Sequence, residues 1–439
     1  MARNTVTLYL TKRTHLEWLI LIVLTLPFMF FILMNVCGLP SAVKYIIDAI
    51  WVFCFVALLL RRGSFPNAQT RQISCWFSVF FLFALCGTVL EYQSIFYTLW
   101  GLRNNVRFFV MFLSIAFFLS ARSALSFFSF MDKLFFINFA VTIYQYFFMG
   151  CKQDFLGGVF GVEIGCNGYT NIFLLVVVIW HVLQYVNKKE KFSISFVYVV
   201  ISLLIAAMAE LKAFFVEFVV IVALVTIITK HSGRKLWFVA FGAIGMLIGL
   251  KLFETIFPSF NNWFQIKSMI DSMQGGYSAI DDMNRLSFFS IAMDRFLDTW
   301  PKKIFGLGLG NCDFATGFDF LTTPFYTMHR NMHYQWFSSA FLLLETGVLG
   351  LGLYLWIFVQ IYLGARQRQK KGLADPIFCQ MARIMAVICP ILVIYNGSLR
   401  TEAGFMVYFV LALPFLKKDG RTRSVAFAKG KEVANVEKG

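Results

Sequence analysis

Apolar and polar positions fall in long blocks along this chain. Runs dominated by Leu, Val, Ile and Phe recur at 17–37, 43–60, 73–90, 108–121, 132–149, 171–186, 193–208, 213–229, 236–253, 337–361, 377–396 and 402–416. A helix of about 20 apolar residues crosses a bilayer core, and shorter runs do so when flanking residues extend them. The pattern predicts an all-α polytopic membrane protein with about twelve transmembrane helices. Residues 1–416 form one helical domain on this reading, and 417–439 form a polar, mixed-charge tail. The run at 17–37 follows a basic N-terminus and has no small-residue cleavage site, so it reads as an uncleaved first helix. No internal repeat, low-complexity tract or soluble domain is evident.

Composition agrees with the blocks. With 59% hydrophobic and 14% charged residues, a chain of 439 residues lacks the polar side chains to cover a water-soluble globule of that size. The net charge of +16 would suit nucleic acid, but its placement points elsewhere. Lys12-Arg13, Arg61-Arg62, Lys188 to Lys191, Arg234-Lys235, Arg366 to Lys371 and Lys417-Lys418 occupy alternate connections. That is the positive-inside pattern. It sets both termini in the cytoplasm and turns the connections 38–42, 91–107, 150–170, 209–212, 254–336 and 397–401 outward. The largest, 254–336, joins the ninth and tenth helices. Nucleic acid is not an expected partner. The nine cysteines show no paired metal spacing and read as small buried hydrophobes. Cys151 and Cys166 share one outward connection, which leaves a disulfide open.

The exceptions to the charge rule carry the candidate chemistry. Arg103, Arg107, Lys212, Arg285, Arg330 and Arg400 lie in outward connections or at helix ends opening onto them. Charge placed against topology and against a low dielectric usually holds something. Guanidinium groups match phosphate oxygens bidentately, so the set suggests an anionic ligand. Lipid headgroups or local pairs, such as Lys212 with Glu210, are the plainer alternatives.

The glycine-rich connection from Lys152 to Gly168 reads either as a phosphate cradle or as a packed re-entrant turn, and lacks the context of a nucleotide P-loop. In the long connection, 284–299 suits an amphipathic surface helix that Pro301 stops. Gly306-Leu307-Gly308-Leu309-Gly310 is a flexible turn, and Asp281, Asp282, Asp313 and Asp319 read as solvated loop charges. His329 and His333, two of five histidines, are suited to proton transfer near neutrality; in a helix they would share a face. A third ligand for a metal is not evident. Glu345, buried by position twelve residues after His333, is ionisable within an apolar run, beside Gly347 and Gly350.

These features together resemble the O-antigen polymerase and ligase superfamily, the Wzy-type polymerases and WaaL-type ligases. Leu211-Lys212-Ala213 is similar to the family's basic residue at the outer end of a mid-chain helix. Arg285 with Gly306 and Gly308 resembles its Arg ahead of a helix and a G-x-G turn. His329 to Asn331 and His333, followed by Glu345, Gly347 and Gly350, look like its His-Asn segment leading into a Glu-x-Gly-x-x-Gly helix. The family's adjacent His-Asn is interrupted here by Arg330, and His333 lies farther from Glu345 than is usual. The stretch 154–167 resembles the glycine-rich outer loop of the polymerases. The resemblance implies a metal-independent, cofactor-free membrane glycosyltransferase that moves a glycan from undecaprenyl diphosphate to a sugar hydroxyl of the next lipid-linked repeat unit. Lys212, Arg285, Arg103, Arg107, Arg330 and Arg400 would serve the diphosphate; His333, or else His329, would serve the acceptor hydroxyl, with Arg285 and Glu345 also in the catalytic set. Implied partners are the lipid-linked oligosaccharide, membrane lipids and a chain-length regulator protein. A ligase acting on lipid A-core and a lipid-linked glycan flippase are the alternatives.

Overall fold

The computed structural model describes residues 13–61, 63–229, 233–256, 266–274, 282–315 and 317–417. In chain order they form α1 (His15–Thr25), α2 (Ile46–Leu60), α3 (Ala68–Leu90), α4 (Ile95–Phe118), α5 (Ala121–Phe147), α6 (Asn167–Val186), α7 (Phe192–Met208), α8 (Lys212–Ile228) and α9 (Gly233–Ile256). Four short helices follow: α10 (Ile266–Gln274), α11 (Phe288–Arg295), α12 (Trp300–Phe305) and α13 (Pro324–His329). The chain then returns to long helices in α14 (Ser338–Lys370) and α15 (Pro376–Tyr395), and ends in α16 (Gly404–Ala412). No strand occurs among the described residues.

All twelve apolar runs lie on helical segments. Among the described residues, seven helices are long and apolar enough to cross a membrane: α2 with its preceding turn, α3, α5, α6, α9, α14 and α15. Shorter apolar helices cover His15–Met29, Phe192–Met208 and Gly404–Phe415. On α2 and α9, Phe53, Val56, Leu59, Leu236, Ile244 and Leu247 are exposed, as expected where hydrocarbon is the solvent. By contrast, α6 is buried on every face from Tyr169 to Leu183, the mark of a helix at the centre of a bundle. The protein is membrane-embedded.

Several boundaries differ from the sequence expectation. The run at 17–37 is not one regular helix: α1 ends at Thr25, Pro27 sits in a 3-10 turn, and a wider π-helical segment spans Phe31–Val36, because proline cannot continue the α-helical hydrogen-bond ladder. Helix α4 begins at Ile95 rather than near 108, so Arg103 and Arg107 are helical and not in a loop. Its first half carries Arg103, Asn104, Asn105 and Arg107, which interrupt the apolar run without interrupting the helix. The amphipathic segment at 284–299 is shorter than expected, since α11 ends at Arg295. Pro301 does not stop a helix; it occupies the first turn of α12, where its missing N–H costs nothing.

The described parts of the long connection are not a solvated flap. Met283, Phe288, Ala292, Leu297, Leu307 and Cys312 form a second core with Phe337, Ala340, Phe341 and Leu344, so this segment folds against the first turns of α14. The docking depends on backbone contact. Gly347 breaks the helical path of α14 with φ 66 and ψ −171. A Cβ at Gly347 would strike the Ile304 carbonyl oxygen, and one at Gly306 would lie 2.5 Å from the Glu345 carbonyl carbon. The Leu307 N–H donates across this contact to the Leu344 carbonyl at 2.7 Å.

Substituting Gly347→Ala adds both an unfavourable positive φ and a collision, so it is expected to destabilise by more than ~1 kcal/mol. Gly352→Ala, a helical position with open space around it, is expected to leave stability unchanged or slightly raised. Thermal unfolding of the two variants in one detergent checks the contrast.

Candidate functional site

At the end of the bundle that carries 282–336, buried charges cross-link helices remote in sequence. On α4, the Arg103 Nε donates to Asp48 Oδ2 at 3.1 Å, with a second ion-pair contact from its Nη2 to the same oxygen. The Arg107 side chain is 3% exposed and lies between two carboxylates, Glu402 at 3.0 Å and Asp48 at 3.9 Å. Its Nη2 donates to the Arg400 carbonyl. The Tyr169 hydroxyl at the start of α6 donates to the other oxygen of Glu402. Thus α2, α4, α6 and the turn before α16 meet in one network.

The turn at 310–313 joins it. A Cβ at Gly101 of α4 would collide with the Gly310 amide nitrogen, so the two backbones touch only because both residues are glycine. This approach brings Asp313, 4% exposed, to Asn104 and to Arg400, whose Nη2 donates to Asp313 Oδ2 at 2.9 Å. Asp313 is therefore no solvated loop charge. Glu345, 1% exposed, accepts hydrogen bonds from the Gly310 and Cys312 backbones, and Arg400 and Asp313 act on its charge. Among the described residues, Arg107 Nε, Arg400 Nη1 and Glu345 Oε1 are buried and find no hydrogen-bond partner.

A second group lies beside the first. The Arg285 Nε donates to the Tyr395 carbonyl at 3.1 Å, and its guanidinium sits 4.3 Å from the Tyr395 ring and 5.1 Å from the Phe337 ring. Arg400 stacks over Phe341 at 3.4 Å. The Phe341 N–H donates to the Phe337 carbonyl, so these rings are one helical turn apart and face the same way. The two guanidiniums therefore occupy adjacent aromatic seats. Lys212 pairs with Glu210 at 2.8 Å, the local pair envisaged from the sequence, and both Arg285 and Asp154 are near enough to act on its charge.

The histidines separate. His329 ends α13 and packs between Phe296 and Phe325, each 4.8 Å away by ring centroid. Burial in this apolar slot lowers its imidazole below the usual value. His333 has a left-handed φ of 58, so the helix is broken between them and the rings do not share a face. Its Nδ1 lies 3.1 Å from Asp282 Oδ1, and its ring packs 4.1 Å from that of Trp336. Asp282, like Asp313, is buried rather than solvated; Asp319 is exposed as expected. Arg330 is exposed and joins neither group.

The glycine-rich connection is a packed turn. Phe160 is buried against Phe28, Tyr169 and Phe173, and Gln145 of α5 pairs with both backbone groups of Gly158 at 2.7 and 2.8 Å. These bonds satisfy the loop's polar groups from within the bundle and commit it to packing. Cys151 and Cys166 are both free; the Cys166 thiol faces the Asp154 carbonyl instead. Lys12, Arg62, Asp281, Lys418 and the tail beyond lie outside the described residues.

Asp48 and Glu402 escaped sequence reasoning, and Asp282 and Asp313 were discounted. The available signal was the number of cations: several buried arginines demand carboxylates of comparable depth. Compared with known families and curated proteins, the chain matches no family model and no curated protein.

Asp313→Ala strips the buried Arg400 of its carboxylate and is expected to cost about 3–5 kcal/mol of stability. Asp313→Ala with Arg400→Met should cost clearly less than the sum of the single variants. Unfolding in detergent across this cycle reads the coupling.

Proposed function

We propose that this protein is a membrane glycosyltransferase that polymerises a lipid-linked polysaccharide repeat unit, of O-antigen or capsule, at the outer face of the bacterial cytoplasmic membrane. The observation that carries the reading is the pair of aromatic-seated guanidiniums, Arg285 and Arg400, at the end of the bundle that also holds His333 and Lys212. The basic clusters at Arg61, Lys188–Lys191, Arg234 and Arg366–Lys371 lie at the opposite helix ends. By the positive-inside rule that opposite end is cytoplasmic, which turns the site outward. Twelve crossings with both termini in the cytoplasm complete this topology.

In this reading Arg285 and Lys212 bind the diphosphate of an undecaprenyl-linked donor, with Arg400 beside them. Cations aimed at the leaving diphosphate stabilise the charge that develops as the glycosidic bond breaks. His333 takes the proton of the attacking sugar hydroxyl. His329, held in an aromatic slot, is the weaker candidate for that role. Arg103 and Arg107, engaged by Asp48 and Glu402, build the wall of the site rather than grip the substrate. Glu345 supports the turn at 310–312 from behind. Membrane lipids and a chain-length regulator protein are further partners of such an enzyme. The transfer uses neither metal nor nucleotide.

Purified protein in lipid, given undecaprenyl-diphosphate-linked repeat units from its own organism without metal or nucleotide, is expected to form a ladder of multiples on a gel. Arg285→Ala is expected to abolish the ladder while its thermal unfolding stays that of the wild type. Transfer only on addition of lipid A-core would make the protein a ligase. No transfer to either acceptor would favour a transporter.

A further inference from the structure

The geometry points to Asp282 as a positioning residue: we propose that its carboxylate holds His333 with the proton on Nδ1, leaving Nε2 as the nitrogen that receives the acceptor proton. This inference rests on the transfer reading given above. Three observations carry it.

The first is the contact itself. Asp282 Oδ1 is 3.1 Å from His333 Nδ1, and the two side chains are 1% and 18% exposed. A carboxylate only accepts, so Nδ1 donates and the lone pair falls on Nε2. The second is how the pair is built. The Met283 N–H donates to the Met332 carbonyl at 2.9 Å, locking the residue after Asp282 to the residue before His333. The register of this backbone bond brings the two side chains together across 51 residues of sequence. The third is strain. His333 holds a positive φ of 58, which is uncommon for a residue with a Cβ and persists where the surroundings over-determine it. Here Trp336 packs on the ring, and the Trp336 N–H donates to the His333 carbonyl at 3.0 Å. The imidazole is thus fixed in position, in orientation and in tautomer.

The step it serves balances as follows. The acceptor hydroxyl oxygen bonds to the anomeric carbon of the donor glycan, while its proton passes to His333 Nε2. The bond from that carbon to the diphosphate oxygen breaks, and its electron pair leaves with undecaprenyl diphosphate. The resulting imidazolium faces the Asp282 carboxylate, so the positive charge forms beside a negative one. Asp282 touches no reacting atom and acts through the ring alone.

The test compares wild type with Asp282→Asn, Asp282→Glu and His333→Gln in the ladder assay, with the ring nitrogens read by NMR of protein carrying 15N-histidine. His333→Gln identifies the signals of that ring. Asp282→Asn is expected to lower kcat by about 10²–10⁴-fold and leave the KM for the lipid-linked donor within about twofold. Its His333 signals should move from the Nδ1–H pattern toward the Nε2–H pattern, and Asp282→Glu should restore part of the rate. An Asp282→Asn enzyme with wild-type kcat beside an active wild type overturns the proposal and leaves the transfer reading standing. Unchanged ring signals in Asp282→Asn overturn it as well, independently of activity. A correctly folded wild type that transfers no glycan overturns the transfer reading and, with it, the part of Asp282 in transfer.

Discussion

A guanidinium in a low-dielectric interior must be neutralised, and Arg107 imposes that requirement on the bundle. It is buried between Asp48 and Glu402, so α4 cannot move without parting a charge from its counter-charge. Glu402 in turn holds Tyr169, and Asp48 also holds Arg103. Arg107 reaches the Arg400 backbone, and the Arg400 side chain reaches Asp313. The links form a continuous chain from α2 through α4 and the turn before α16 to the folded segment at 282–336. Breaking one link leaves a buried charge uncompensated, which is far costlier than the net worth of the pair. The network therefore fixes geometry more than it adds stability.

Ion pairs of this kind need their helices in close register, and the backbone contacts at glycine supply it. Gly101 against Gly310, and Gly347 against Ile304 and Gly306, let α4, α12 and α14 approach closer than any side chain would allow. In lipid, where apolar surface gives helices little reason to prefer one another, close van der Waals contact at small residues is a main source of specific packing. The same contacts bring Asp313 and the amides beside Glu345 to the arginines. Backbone packing and charge pairing are thus one construction: the glycines set the distance and the carboxylates use it.

Much of the fold was legible because the bilayer reads composition directly. Each apolar run fell on helical segments, and Lys212, Arg285 and Arg400 stood out as charges placed against the topology rule, as His333 did for its chemistry. What stayed hidden was pairing at long range. Glu402 lies 295 residues from Arg107 and Asp313 lies 87 from Arg400, and nothing local distinguishes such carboxylates from solvated ones. The first half of α4 was hidden for the same reason. Its polar residues look like a loop until the carboxylates that satisfy them are known. Pro301 was misread because a proline that ends one helix and a proline that begins another look alike until the residues on both sides are placed. The spacing of His329 and His333 would set both rings on one face of a continuous helix, which the left-handed backbone at His333 removes.

The cations of this region divide by what holds them. Carboxylates engage Arg103 and Arg107, and a carboxylate cancels most of the field that a guanidinium could direct at a ligand. Tyr395 holds Arg285 differently, through a neutral carbonyl oxygen and a ring face, with the Phe337 ring beside it. Such contacts fix the plane and position of the group. Arg400 combines both kinds of hold, with a ring on one side and Asp313 on the other. In the proposed transfer Arg285, Lys212 and His333 make the working face, and two of them also stand beside a carboxylate, Lys212 beside Glu210 and His333 beside Asp282. For the leaving diphosphate of the proposed transfer, cations held this rigidly are already in place before the charge develops.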